Sequence, residues 1–177
     1  IKEIQRLTGL PLQQERPKGA VFSAKSKVLK DYAAFNLKDV NKSGLKELKI
    51  VVDTANAVSG TIIAEIFKNL PCAVTHLFKK SDGRFPNHPP DPLIEENLKI
   101  LRAKVVAKKA DLGVAFDGDG DRIVFVDEKG ETASGNFIAA LMADLILKKY
   151  PGEKILYDGR ASNIIKEVIE SGGGKPV

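Results

Sequence analysis

The feature that most constrains the fold is the alternation of strand and helix patterns from residue 49 onward. Residues 49–53 (KIVVD) place three β-branched side chains in a row, which is typical of a central strand buried on both faces. Residues 61–70 carry apolar side chains at helical spacing, and residues 73–78 have the pattern of a second strand. A strand, a helix and a strand in succession predict a parallel β-α-β unit.

The same alternation continues beyond a proline-rich loop at residues 81–92. Residues 93–109 have helical spacing, residues 110–116 form a third predicted strand, and residues 123–126 form a fourth that ends at a DEKG turn. Because only a short loop joins the last two strands, we expect the fourth to run antiparallel. The sequence therefore predicts an α/β fold with a mixed, mostly parallel sheet and helices.

A second unit with similar order follows. A helix is predicted at residues 136–149, a strand at residues 154–157 and a helix at residues 162–171. The strand-then-helix order repeats that of residues 49–70, which indicates the start of a second, similar domain. The glycines at 172–174 follow a helix, so they favour a helix stop over a phosphate-binding loop.

Composition narrows the function classes. Of the 177 residues 43% are hydrophobic, and the net charge of +5 comes from lysines spread among apolar residues. Only 6% are aromatic, so no stacking platform for nucleic acid is expected. The longest apolar stretch, residues 137–147, is too short to span a bilayer, and the single Cys72 fits a reducing compartment. We expect a soluble cytoplasmic protein without nucleic-acid or membrane partners; nothing indicates its oligomeric state.

The third predicted strand runs directly into DGDGDR at residues 117–122. Asp117, Asp119 and Asp121 alternate with glycine, so a tight loop can turn the three carboxylates toward one point. Such a loop lies where open α/β sheets bind ligands, at the carboxyl end of a strand. Oxygen ligands favour a hard divalent cation, and three carboxylates leave positions free for a phosphate oxygen, which suits Mg²⁺. Arg122, directly after them, would offset the charge of a transferring phosphoryl group.

Two other interpretations of this loop are a solvated acidic turn without a ligand and a calcium loop of the EF-hand type. The regular spacing of three aspartates at the end of a buried strand argues against the first. The second matches at the aspartates and at Glu128, the position of the last EF-hand ligand. It fails because Arg122 stands where that loop needs glycine and because strands flank it.

The loop and its surroundings resemble the α-D-phosphohexomutases, specifically the bacterial phosphomannomutase/phosphoglucomutase branch. The matching stretches are ADLGVAF (110–116) followed by DGDGDR (117–122), KIVVDTAN (49–56) and DGRFPNHPPDP (82–92). Ala57 departs from the family pattern, which usually has glycine directly after the asparagine. The resemblance implies a phosphoglucomutase-like central domain and the start of a similar second one.

The resemblance also implies an isomerase, an intramolecular phosphotransferase that interconverts mannose and glucose 1- and 6-phosphates. In such four-domain enzymes a phosphoserine gives its phosphoryl group to the sugar, and the 1,6-bisphosphate turns round and returns the other phosphate. Carried onto this chain, the Mg²⁺ ligands are Asp117, Asp119 and Asp121, and the phosphoserine supplies a fourth ligand. By the same resemblance, Arg122 is expected to stabilise the phosphate during transfer.

The resemblance implies a division of the chain into three parts. Residues 1–30 are expected to be the end of domain 1, residues 31–131 the metal-binding domain 2, and residues 132–177 the beginning of domain 3. The family's serine, sugar-binding and phosphate-clamp motifs are absent from the 177 residues. We therefore expect the isolated chain to be inactive. The alternative is a stand-alone Ca²⁺- or Mg²⁺-binding module without catalysis.

Several further polar residues are weaker candidates. His88 in the proline-rich loop and His76 in the second strand are expected to be packing residues rather than ligands. Residues 53–56 (DTAN) are expected to cap the following helix and to pack the loop. Arg160 follows the strand of the second unit, and the sequence does not fix the direction of its side chain. Cys72 has no basic partner nearby in the sequence.

Overall fold

The computed structural model of the protein describes residues 2–9 and 19–177. Residues Lys2–Thr8 form helix α1. Much of the segment expected to be the end of a preceding domain, residues 10–18, lies outside the described residues. Helix α2, Lys25–Leu37, follows and spans the boundary expected at residues 30 and 31.

A four-stranded sheet forms the centre of the first unit, which we define as residues 25–126. Its strands are β1 (Leu48–Asp53), β2 (Cys72–Leu77), β3 (Leu112–Phe116) and β4 (Ile123–Val126). The spatial order is β2-β1-β3-β4, with β1 parallel to both of its neighbours and β4 antiparallel to β3. The predicted α/β class and the antiparallel last strand are thereby confirmed.

The central strand β1 is covered on both faces, as its β-branched run predicts. Helix α4, Glu95–Lys108, buries Leu98 and Leu101 against Val51 on one face. Helix α3, Ser59–Phe67, packs Ile63 against Ile50 on the other face. Because the apolar side chains of β1 alternate between two helix layers, its register is fixed.

The second unit, residues 135–177, contains two helices and two very short strands. Its elements are α5 (Gly135–Lys149), β5 (Lys154–Ile155), α6 (Asn163–Ser171) and β6 (Lys175–Pro176). Strands β5 and β6 pair in parallel, and the core lies between the two helices, around Ala143, Leu147 and Ile169. The repeated strand-helix order is present, but the expected four-residue strand at 154–157 is wrong, because regular pairing covers two residues and Leu156 is exposed.

The structure differs from the sequence prediction at the start of β3 and at helix α2 as well. Strand β3 begins at Leu112 rather than at residue 110, because Lys109 adopts a left-handed conformation (φ 47°) and the Ala110 N–H closes the end of α4 on the Val105 carbonyl. Helix α2 was not anticipated: it buries only Ala33 and Leu37, so its sequence carries little amphipathic signal. None of the helices in residues 2–9 and 19–177 has the length and apolar character needed to cross a lipid bilayer.

Candidate metal centre

The DGDGDR loop connects β3 to β4 at the edge of the sheet where the parallel strands β1, β2 and β3 end. It brings Asp117, Asp119 and Asp121 together, with one carboxylate oxygen of each within 4.8 Å of the others. Asp117 is buried, while the other two carboxylates are exposed. The structure thus gives the convergence that the spacing predicts; the role of these residues as cation ligands stays a prediction.

Asp117 organises the loop through both of its carboxylate oxygens. Its Oδ1 accepts the backbone N–H of Gly120 at 2.9 Å and that of Arg122 at 3.1 Å. Its Oδ2 accepts Nε–H of Arg122 at 2.7 Å. The turn requires glycine at position 120, because φ is +81° and an added Cβ would lie 3.2 Å from Cβ of Ser59.

The donor set fits a hard divalent cation. A carboxylate oxygen offers about two lone pairs. Oδ1 of Asp117 already accepts two hydrogen bonds, whereas Oδ2 accepts one and keeps a lone pair for a cation. The exposed carboxylates of Asp119 and Asp121 lie close enough to complete an all-oxygen site, which is the ligand chemistry of Mg²⁺ rather than of Zn²⁺ or copper.

Electrostatics in the loop point the same way. The negative charges of Asp119 and then Asp117 raise the pKa of Asp121 above its usual value. Burial alone would raise the pKa of Asp117, but the N–H groups of Arg122 and Gly120 hold it below the usual range. A divalent cation among these carboxylates would relieve the repulsion.

Arg122 is held between two carboxylates at the rim of the loop. Its Nε contacts Asp117, and its Nη1 donates to Oδ1 of Asp91 at 3.3 Å. The side chain is 49% exposed, so the guanidinium is accessible to an anion. Asp91 was not singled out as a site residue from the sequence, where it is 31 positions away from Arg122.

The proline-rich loop at residues 81–92 packs beside the DGDGDR loop and is tied to the end of β1. Nε2 of His88 lies 3.1 Å from Oδ2 of Asp53, which is buried. Asn87 donates its side-chain N–H to Oδ1 of Asn56 at 2.7 Å. The Asp53 carboxylate raises the pKa of His88 although partial burial opposes this. His88 is therefore an anchor of this loop, as expected for a packing residue.

The expectation that residues 53–56 cap helix α3 is wrong. The residue before the helix is Val58, and no side chain caps it. Asp53 instead accepts the N–H of Ala55 within the turn, and Asn56 donates to the Lys80 carbonyl. Asn56 thereby ties the turn after β1 to the segment after β2, which is the loop-packing role that was also expected.

The remaining candidates have local roles. His76 lies 3.0 Å from the Thr54 hydroxyl, and burial lowers its pKa, as expected for a structural histidine. Arg160 is exposed and pairs with Asp158 in its own turn. Cys72 begins β2 and is half-buried. The glycines after α6 end that helix, as predicted.

Comparison with known proteins identifies the first unit. Residues 29–130 match the family described as "Phosphoglucomutase/phosphomannomutase, alpha/beta/alpha domain II". The matched residues include the DGDGDR loop, Asp91 and His88.

Curated relatives and a solved structure extend this similarity. The chain is 42% identical over 132 residues to a phosphomannomutase/phosphoglucomutase of Pseudomonas aeruginosa, covering 75% of this chain and 28% of that protein. It is 37% identical over 160 residues to a phosphomannomutase of Escherichia coli, covering 82% of this chain and 35% of the relative. A crystal structure of a phosphoglucomutase/phosphomannomutase family protein from Burkholderia thailandensis superimposes with a TM-score of 0.81 at 37% identity, over 85% of this chain and 32% of that one. The chain thus spans about a third of the length of these proteins.

Proposed function

The chain belongs to the phosphoglucomutase/phosphomannomutase family, and from that premise we propose that it forms the metal-binding part of a phosphohexomutase. The enzyme interconverts the 1- and 6-phosphates of mannose and glucose through a phosphoserine and a 1,6-bisphosphate. Residues 31–131 act as its second domain, with residues 1–30 closing the first and residues 132–177 opening the third. We also propose that the enzyme is located in the cytoplasm.

The observation that carries the proposal is the convergence of three aspartates beside Arg122 at the end of β3, inside the family-matched residues. Phosphoryl transfer needs mainly positioning and neutralisation of charge on the transferring group. A loop whose three carboxylates hold a divalent cation and that presents a half-exposed guanidinium would supply both.

Each residue of the loop has a distinct part in this proposal. Asp117 holds the backbone of the loop and the Nε of Arg122, and it offers one lone pair to a cation. Asp119 and Asp121 complete the oxygen ligands. Arg122 donates its remaining N–H groups to the phosphoryl oxygens. Bound Mg²⁺ would neutralise negative charge on the phosphoryl group.

The test uses the natural polypeptide that contains this chain. Coupled assays with mannose 1-phosphate and glucose 1-phosphate should show turnover that EDTA abolishes and Mg²⁺ restores. The double variant Asp119→Asn/Asp121→Asn should lower kcat by about 100-fold or more, because the charge-neutralising site is lost. Intact mass should show one added phosphate on a fraction of the wild-type protein.

A matched control removes the same charge nearby. Glu128 and Glu131 are exposed in the turn after β4, and Glu128→Gln/Glu131→Gln should leave kcat unchanged. Equal loss in both double variants, or full activity in EDTA, would contradict the proposed metal role.

The second candidate function is a stand-alone cation-binding module, favoured by the fact that the carboxylates already converge within this chain. Calorimetric titration of the 177-residue chain with Mg²⁺ and with Ca²⁺ separates the two. The mutase proposal expects weak Mg²⁺ binding and no turnover by this chain alone, since a ligand and the phosphorylated serine lie elsewhere. Tight, Ca²⁺-selective binding would favour the module.

A further inference from the structure

Asp91 lies between Pro90 and Pro92 immediately before helix α4, where several hydrogen bonds fix it. Its backbone N–H donates to the Pro89 carbonyl at 2.9 Å, and its own carbonyl accepts the side-chain N–H of Asn97 at 2.8 Å. Its Oδ1 accepts the N–H of Leu93 at 3.1 Å. The carboxylate therefore has a defined position before it meets any other side chain.

The same Oδ1 accepts Nη1–H of Arg122, so two carboxylates hold two different nitrogens of one guanidinium. Asp117 holds Nε at 2.7 Å and Asp91 holds Nη1 at 3.3 Å. Because a guanidinium is planar, contacts at two nitrogens fix the orientation of its plane. The N–H groups that remain then point in a fixed direction from a side chain that is half exposed.

The proline-rich loop, which carries Asp91, contacts both the sheet and the DGDGDR loop. His88 pairs with Asp53 at the end of β1. The ring of Pro90 lies over Gly118, since a Cβ built on that glycine would be 3.6 Å from Cγ of Pro90. Movement of the proline-rich loop would therefore displace Asp91 relative to the carboxylate cluster.

We propose that Asp91 is a positioning residue that orients the guanidinium of Arg122 toward the transferring phosphoryl group; this rests on the phosphohexomutase function proposed above. Asp91 acts through Arg122 and does not touch the substrate. Its carboxylate confines a flexible side chain to the orientation in which the free N–H groups meet the phosphate oxygens, so its effect falls on the transfer step.

The variant Asp91→Asn tests this, because asparagine keeps an oxygen for the Leu93 N–H and removes the charge that holds Arg122. In the natural polypeptide containing this chain, we expect kcat to fall about 10- to 100-fold while KM stays within about twofold. In an Arg122→Lys background the same change should have little further effect, because the group being oriented is gone. Asp82→Asn is the matched control, since Asp82 pairs with Arg84 in the same loop at 2.6 Å.

A second readout does not depend on turnover. With ¹⁵N-labelled arginine, restricted rotation about the Nε–Cζ bond of Arg122 should give separate Nη1 and Nη2 resonances in the wild type. These should merge in Asp91→Asn and stay separate in Asp82→Asn. Averaged resonances in the wild type, or unchanged kcat in Asp91→Asn, would overturn the inference.

The two proposals fail in different ways. A wild-type protein without turnover on either sugar phosphate refutes the proposed function, and the arginine spectra still decide whether Asp91 orients Arg122. An active wild type with an equally active Asp91→Asn variant leaves the function standing and refutes the positioning role.

Discussion

The two units of the chain differ in how their helices are packed. In the first unit, α3 and α4 lie on opposite faces of the sheet, and Val52 and Leu101 are 0% exposed. In the second unit, α5 buries one face against α6 and leaves Phe137, Leu141 and Leu145 on the other face more than half exposed. The DGDGDR loop lies on the first unit, whose sheet is covered by helices on both faces.

This difference explains why the site is well defined where it is. A loop anchored on a sheet packed from both sides inherits the rigidity of that sheet, which the proposed phosphoryl-transfer site would need. Strands β5 and β6 pair over only two residues each, so Arg160, just after β5, has no comparable support.

The largest effect is expected from a cavity in the core of the first unit. Leu101→Ala should lower the free energy of unfolding by about 2–5 kcal/mol, because Leu101 is fully buried between α4 and the sheet. Urea unfolding measures the loss, and hydrogen exchange resolved by segment shows where protection falls. Protection should fall throughout β1 and β3.

The matched change in the second unit is Ile169→Ala, which removes an equally buried side chain. We expect its loss of protection to be confined to α5 and α6. If it lowers protection in β1 and β3 as much as Leu101→Ala does, the chain unfolds as one cooperative body and the contrast between the units is wrong.

The next largest effect on stability is expected from replacing a tightly packed glycine with alanine in each unit. A Cβ on Gly60 would lie 2.3 Å from the backbone carbonyl of Lys79, which cannot move without shifting the end of β2. A Cβ on Gly174 would lie 2.7 Å from the tip of Leu147, a side-chain methyl group that shifts more easily than backbone although Leu147 is buried. Gly60→Ala should therefore cost about 3 kcal/mol and Gly174→Ala about 1 kcal/mol. Equal losses in thermal unfolding would contradict this reasoning.

The sequence predicts well those features that arise from neighbouring residues. The β-branched run and the turn after residue 126 predict the bounds of β1 and β4 within a residue or two. The alternate spacing of Asp117, Asp119 and Asp121 predicts that their carboxylates converge. Local spacing determines such features, because side chains alternate along a strand and a tight loop brings near neighbours together.

Features that depend on tertiary contact were not predictable in this way. Asp91 and Arg122 are separated by 31 positions and meet only because α4 carries the chain back to the start of the sheet and β3 then runs forward to the edge where Asp91 lies. His88 and Asp53 are 35 positions apart and lie on a loop and a strand with no shared periodicity. Helix α2 escaped detection because its few buried residues produce no clear amphipathic stripe.

A smaller effect concerns the brace between the proline-rich loop and the first unit. Asp53 raises the pKa of His88, so this pair contributes stability that is fully present below about pH 6.5 and is lost as the pH rises through the raised pKa. His88→Gln should therefore lower the free energy of unfolding by about 1 kcal/mol at pH 6 and by less at pH 9. Urea unfolding across this pH range measures the difference.

His76 titrates in the opposite sense. Burial and then Lys79 lower its pKa, so its protonation destabilises the fold as the pH falls below about 6.5. In the His88→Gln variant this trend is no longer offset, and stability should decline from pH 8 to pH 5.5. A His88→Gln variant that follows the wild type at every pH would show that the brace has no energetic role.

The smallest effect concerns how the helices begin. In the second unit the Ser162 hydroxyl accepts the N–H of Ile164 at 3.4 Å and caps α6, whereas Val58, the residue before α3 of the first unit, makes no side-chain cap. Because that bond is long, Ser162→Ala should cost about 0.5 kcal/mol, and hydrogen exchange should show the loss in α6. Val58→Ala should cost less, since α3 is held by packing against the sheet and loses no cap. A larger loss from Val58→Ala would mean that the start of α3, rather than its packed face, determines its stability.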